Sequence, residues 1–329
     1  MAKRKVGPFE VEPIGLGCMN VSHAYAAPPP RDYSIRLLNE ALDAGYDFMD
    51  TAALYGLGKN EELLAEAIGH RRDEYVLASK CGLVIGPEGR KIDSSPEATR
   101  QVCEDSLRRL NTDMIDVYYL HRWDKTTPVE EAAGGLARLI EEGKVRSIGL
   151  SECSADTLRK AHSVYPIAAV QSEYSLWTRN PEIAVLDACR ELGVAFVAFS
   201  PVARGFLTDT PPDVTALYEK DIRRPMPRFS EDNWPKNLAL LDEYFAEADS
   251  VGCTPAQLAL AWLLAQGEDI IPIPGTTSIE HMKENLAARD VTLSPGTVAR
   301  LDTIINQDTV HGPRYPAKVQ PEIDTEEFA

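Results

Sequence analysis

Eight short apolar runs recur along this chain, at residues 14–19, 46–49, 75–79, 115–120, 145–150, 168–172, 194–199 and 270–273, with amphipathic stretches between them. Each run is rich in Val, Ile, Leu or aromatic residues and lacks the strict alternation of a strand with one wet face. Such runs are expected of parallel strands covered on both faces. Helix starts stand between them. Asn60 precedes two glutamates, and in Ser95-Pro96-Glu97 and Thr254-Pro255-Ala256 a capping hydroxyl is followed by proline at the first helical position. Gly45, Gly143 and Gly193 fall where a helix should end and a strand resume, as left-handed C-caps do. Strand and helix alternating through turns this short imply a parallel sheet with right-handed crossovers.

Eight such units can lie open or close on themselves. An open dinucleotide-binding sheet normally carries GxGxxG after its first strand. Here Gly15-Leu16-Gly17-Cys18-Met19-Asn20 holds the first two glycines only, and a long loop follows instead of a helix. The pattern therefore predicts an α/β fold, a (β/α)8 TIM barrel, in one domain over residues 1–329, a length normal for such barrels. A short N-terminal β-hairpin is expected over 6–11. A long loop is expected after strand 7, from 203 to 235, where prolines gather around Arg223-Arg224-Pro225-Met226-Pro227. The polar tail after Gln307 is expected to lie over a barrel face or to be partly mobile.

Charge narrows the partners. With 51 acidic against 34 basic residues the net charge is −17, which argues against nucleic acid and against an anionic membrane surface. No stretch approaches the roughly 18 apolar residues of a membrane span. No apolar segment follows the basic Met1-Ala2-Lys3-Arg4-Lys5, so no secretory leader is expected. The six cysteines are scattered without a CxxC pair, as reduced thiols in a cytoplasmic protein would be. The six histidines show neither HxH nor HExxH spacing, so no metal is expected.

In a barrel of this type chemistry sits at the C-terminal strand ends. Just past the second, third and fourth runs stand Asp50, Lys80 and His121, and Tyr55 lies five residues beyond Asp50. Singly, each has a bland reading as a helix cap, a surface charge or a loop aromatic. On three neighbouring strand ends the four can converge, with Asp50 and Lys80 as an ion pair. The set suits carbonyl reduction by hydride transfer. Tyr55 would deliver the proton, its acidity strengthened by the Lys80 ammonium, which Asp50 holds in place, while His121 orients the carbonyl oxygen.

At these residues the chain resembles the aldo-keto reductase superfamily. The stretch Gly45-Tyr46-Asp47-Phe48-Met49-Asp50-Thr51-Ala52-Ala53-Leu54-Tyr55-Gly56, with Asn60-Glu61 after it, is similar to the signature around that family's aspartate and tyrosine. Leu77-Ala78-Ser79-Lys80 resembles the lysine motif and Asp116-Val117-Tyr118-Tyr119-Leu120-His121-Arg122 the histidine motif. Further matches are Ile148-Gly149-Leu150-Ser151, Gln171-Ser172-Glu173-Tyr174-Ser175, Phe199-Ser200-Pro201 and Ile273-Pro274-Gly275-Thr276. The resemblance runs in order from about residue 15 to 285. The Ser22-His23-Ala24-Tyr25 loop resembles that of the bacterial and plant branch.

The resemblance implies Tyr55, Lys80, Asp50 and His121 as the catalytic set and NADPH or NADH as cofactor. By position, Ser151 and Gln171 would hold the nicotinamide carboxamide and Phe199 would stack on the ring. Ser200, Arg204 and Gly205, within 200–207, would follow the pyrophosphate. Gly275, Thr277, Ser278, His281 and Asn285 would grip the adenosine end. Relatives that prefer NADPH usually carry Lys or Arg there, because a 2′-phosphate needs charge-assisted donors. Arginine is absent from 275–281, the nearby candidates being His281, the Thr and Ser hydroxyls and Lys283, so NADH is a serious cofactor. Substrate contacts are expected from His23, Tyr25 and Trp123, with Leu54, Trp177 and the 223–234 segment around them. The aromatics suggest an apolar or ring-shaped carbonyl or alcohol. A redox-sensing binding subunit with the same fold and residues is the alternative reading. Substrate, direction and oligomeric state stay open.

Overall fold

The computed structural model describes residues 1–86 and 89–328. Eight parallel strands follow one another around a single sheet: β1 (Leu16–Gly17), β2 (Phe48–Asp50), β3 (Val76–Cys81), β4 (Ile115–Leu120), β5 (Val145–Ser151), β6 (Ile167–Glu173), β7 (Ala195–Phe199) and β8 (Ile270–Pro272). Gly15 N–H donates to Pro272 O at 3.0 Å and Gly17 N–H to Pro274 O at 3.1 Å, which joins the first strand to the last and closes the barrel. The expected (β/α)8 barrel is thus the observed fold.

Most strands are apolar on both faces, which is why alternation was missing from the sequence. Phe48, Ala78, Val117, Ala169, Val197 and Ile271 fill the interior. Met49, Leu77, Tyr118, Ile148, Val170 and Phe196 face outward into a second core, shared with the surrounding helices. Those helices include α1 (Arg31–Ala44), α2 (Lys59–Ile68), α3 (Pro96–Leu110), α4 (Val129–Glu141), α5 (Ala155–Val164) and α6 (Val185–Leu192). Ser95 and Thr254 cap their helices through their hydroxyls, and Gly45 and Gly193 end theirs in the left-handed region, as read from the sequence.

The N-terminal hairpin pairs Arg4–Val6 with Phe9–Val11, and Val6 and Val11 join the interior layer from below. Arg4 is buried with it and donates to Leu264 O at 2.9 Å.

Several boundaries differ from the sequence reading. The first run is a strand only at Leu16–Gly17, and Cys18–Val21 forms a 3-10 turn. Asp50 is the last residue of β2 and Lys80 lies inside β3, so both charges belong to strands, where they satisfy each other. A second hairpin, Leu83–Gly86 with Gly89–Ile92, was not expected. The 203–235 segment is long, as expected, yet carries its own packing: Phe206 stacks on Trp177 at 4.5 Å and Phe229 on Trp234 at 5.2 Å. The tail crosses the C-terminal barrel face, with Tyr315 and Ile323 buried. Among the described residues no helix is long and apolar enough to cross a membrane, and all six cysteines are free.

Candidate active site

Inward-facing positions on a strand recur every second residue, and this register delivers the polar residues to the barrel mouth. Phe48 points inward, and so does Asp50. The pairs Ala78 and Lys80, and Ala169 and Gln171, follow the same rule, and Val117 and Tyr119 lead to His121. Lys80, only 1% exposed, is held by three oxygens: Asp50 Oδ1 at 2.5 Å, Thr51 O at 2.7 Å and the Tyr55 hydroxyl at 3.2 Å. Gln171 donates to the second Asp50 oxygen at 2.7 Å. The Tyr55 ring meets His121 edge-on, with centroids 5.9 Å apart, and His23 at 5.6 Å. Four groups read separately from the sequence therefore form one cluster.

Its electrostatics follow from burial and neighbours. Burial alone would lower the Lys80 ammonium, but Asp50 and Tyr55 outweigh it and the group is raised above its ordinary value. Burial lifts the Asp50 carboxyl, against the pull of Lys80 and Gln171. Burial pushes the Tyr55 phenol up, and Lys80 offsets only part of the rise. Lys80 therefore acts in the expected direction, toward a stronger acid, while burial keeps the resting phenol above its ordinary value. His121 is held well below its usual value by burial, then by Arg122, Lys80 and Arg90, so the imidazole is neutral.

The cluster opens into a cavity of about 570 Å³, in the range of small-molecule sites. Of the residues expected to hold a cofactor, Ser151, Gln171, Phe199, Ser200, Arg204, Gly205, Gly275, His281 and Asn285 line it. Thr277 and Ser278 do not: the Ser278 hydroxyl accepts from His281 N–H and so caps the helix Ile279–Ala287. Of the expected substrate residues, His23 and Tyr25 line the cavity. Trp123 does not, because its indole N–H donates to Thr127 O at 2.7 Å and its ring packs against the outer core. Trp177 is likewise buried under Phe206, and Lys283 pairs with Glu40 at 2.8 Å outside the cavity.

The wall beyond β7 is strained. Ser200, Ala203 and Arg204 have φ of 50°, 52° and 58°, a region that residues with a side chain adopt only under constraint. Arg204 supplies part of that constraint by donating to Glu173 at 2.6 Å. Arg314 from the tail also reaches Glu173, at 3.2 Å, and binds Glu152. Burial alone would raise the Glu173 carboxyl, but Arg204, Arg314 and Arg228 bring it down to about 2.

The sequence reading missed Arg90, Arg122, Tyr315, Val319 and Glu322, which also line the cavity. Arg122 could have been found from its place next to His121. Arg90 sits on the unexpected hairpin and the last three on the tail, where no strand-end rule applies. Among the described residues no three His, Cys, Asp or Glu side chains are placed to hold a metal ion.

Comparison with known proteins agrees with this geometry. The family model described as "Aldo/keto reductase family" matches residues 13–306. An aldo-keto reductase of Schizosaccharomyces pombe, named as NADP(+)-dependent, is 42% identical over 320 residues, covering 95% of this chain and 94% of its own. A glycerol dehydrogenase from Gluconobacter oxydans superposes with a TM-score of 0.85 at 28% identity, over 96% of this chain and 98% of its own. An aldo/keto reductase from Klebsiella pneumoniae, solved with NADP and acetate, does so at 0.72 and 28% identity, over 96% and 99%. With the barrel, the family model and the fission-yeast relative in agreement, the chain belongs to the aldo/keto reductase family of oxidoreductases.

Proposed function

We propose that the protein interconverts an aldehyde or ketone and its alcohol with a nicotinamide cofactor, Tyr55 acting as general acid in reduction and general base in oxidation. The observation that carries this reading is Lys80 Nζ lying between Asp50 and the Tyr55 hydroxyl, with His121 across from the phenol. When bound, the nicotinamide supplies or accepts the hydride.

The residues present fit such a group. Asn285 is 6% exposed and lines the cavity, yet its carboxamide makes no hydrogen bond to another described residue. It would serve the adenosine end with Gly275 and His281. Arg204, Gly205 and Ser200 stand ready for the pyrophosphate, Phe199 for ring stacking, and Ser151 and Gln171 for the carboxamide. The NADP(+) in the name of the fission-yeast relative and the NADP in the Klebsiella pneumoniae structure support the cofactor class. We read selectivity between NADPH and NADH as weak, because His281 is the only basic side chain among the described residues at that end of the cavity, beside Glu284.

From these groups the proton path follows. Neutral His121 donates a hydrogen bond to the carbonyl oxygen and orients it. Tyr55 is protonated at rest and gives its proton to the developing alkoxide. Negative charge then moves onto the phenol oxygen, where Lys80 stabilises it, and Asp50 keeps Lys80 charged. No step needs a metal. We place this activity in one catalytic unit spanning residues 1–329, in the cytoplasm.

Tyr55→Phe tests the assignment. It should lower kcat at least about a hundredfold against a panel of aldehydes and alcohols, while the cofactor Kd from fluorescence titration stays within about threefold of wild type. A variant that kept most of its kcat would remove Tyr55 from the role.

A further inference from the structure

The cavity has a cationic end that the proton path does not use. Arg122 lines it beside the cluster, donating to His121 O at 2.6 Å and to Ser151 Oγ at 3.3 Å. No carboxylate among the described residues pairs with it. In a chain with 51 acidic residues and a net charge of −17, an arginine left without a carboxylate at the reacting centre asks for an anion from outside. Arg90 approaches from the hairpin after β3. Its Nη2 holds both carboxylate oxygens of Glu322, at 2.6 Å each, and both residues line the same cavity. Arg90 is therefore already placed to receive a carboxylate there, and Glu322 is the intramolecular occupant.

The topology decides which ligand this end faces. Around a closed ring of eight strands, β3 and β4 stand opposite β7 and β8. The residues suited to pyrophosphate and adenosine follow β7 and β8, so Arg122 and Arg90 lie on the half left to the substrate. We infer that the carbonyl substrate carries a carboxylate, received by Arg122 and by Arg90, which exchanges Glu322 for it. The planar guanidinium fork matches a carboxylate in two parallel hydrogen bonds. The depressed basicity of His121, to which both arginines contribute after burial, accords with a positive field at this end. The inference rests on the carbonyl-reductase reading and names its substrate class.

The test compares kcat/KM for 2-, 3- and 4-carboxybenzaldehyde with their methyl esters, using the full-length protein and reduced cofactor. At least one acid should exceed its ester by about tenfold or more, chiefly through KM, and added salt should shrink the advantage. Arg122→Met should bring the ratio to within about threefold of unity. Glu322→Gln should raise it, because Arg90 loses its internal competitor. If Arg122→Met fails to fold, Arg90→Gln on the exposed hairpin carries the same comparison. Esters favoured at all three positions, or an acid preference unchanged in both arginine variants, would overturn the inference. In those cases turnover of the esters would leave the reductase reading standing, whereas no turnover of any aldehyde with either cofactor would remove both.

Discussion

At the scale of single residues, the site is governed by how each buried polar group is satisfied. Lys80 survives at 1% exposure because three oxygens surround its ammonium. The end of the cavity proposed for the adenosine is built differently. His281 lines the cavity there, its neighbours Glu280 and Glu284 are acidic, and Lys283 is engaged with Glu40. A 2′-phosphate there would find one imidazole and repulsion from the Glu284 carboxylate. We therefore expect kcat/KM for NADPH and NADH to differ by less than about a hundredfold, which is about 2.7 kcal/mol. His281→Arg should move the ratio toward NADPH by about tenfold, and paired saturation curves measure both. A wild-type preference for NADPH beyond a hundredfold would show that another donor holds the phosphate. The same scale explains what could be read in advance. Asp50, Lys80 and His121 were legible because each ends an apolar run, where a charge has no packing reason to be. Trp123 was misread because nothing in the sequence says that its indole N–H turns back to Thr127 O.

At the scale of elements, the seam between β1 and β8 decides whether the barrel closes. Gly15-Leu16-Gly17 read as two-thirds of a phosphate-binding motif, and the structure gives these glycines another role. A Cβ on Gly17 would stand 2.8 Å from Ile273 O, and one on Gly15 would stand 2.7 Å from the Phe48 ring. The strands approach too closely there for any side chain. Gly17→Ala should cost about 1–3 kcal/mol, since backbone at the seam must shift. Gly69 has φ of −59° and nothing within 4 Å of an added Cβ, so Gly69→Ala should be neutral or stabilising by less than about 1 kcal/mol. Urea unfolding of the pair separates steric closure from a general intolerance of alanine. If Gly17→Ala were as stable as wild type, the seam would have room for a Cβ. The number and order of strands were legible from apolar runs, but the closing contacts pair residues more than 250 apart, and local pattern carries no trace of them.

At the scale of the whole molecule, the tail is attached to the barrel by charge. Arg314 comes from beyond the last helix and is buried between Glu152 after β5 and Glu173 at the end of β6. Arg204 after β7 shares Glu173, and Tyr315 follows Arg314 into the cavity wall. The site thus has a wall whose position depends on an ion-pair network, and that network has a pH signature. Glu173 sits at about 2 in the folded chain against an ordinary 4.5. A depressed carboxyl contributes stability that is fully present above its unfolded value and is lost as pH falls toward the folded one, so the window runs from about 4.5 down to 2. The whole contribution is about 3 kcal/mol. Glu173→Gln should therefore be less stable than wild type at neutral pH, where Arg204 is left buried without its carboxylate. The gap should shrink by about 2 kcal/mol between pH 5 and pH 3, because wild type alone loses this term there. Other acidic groups titrate alike in both proteins and cancel in the difference. Urea midpoints at five pH values measure it, and a gap that held constant across that window would mean that Glu173 is not depressed by the arginines around it.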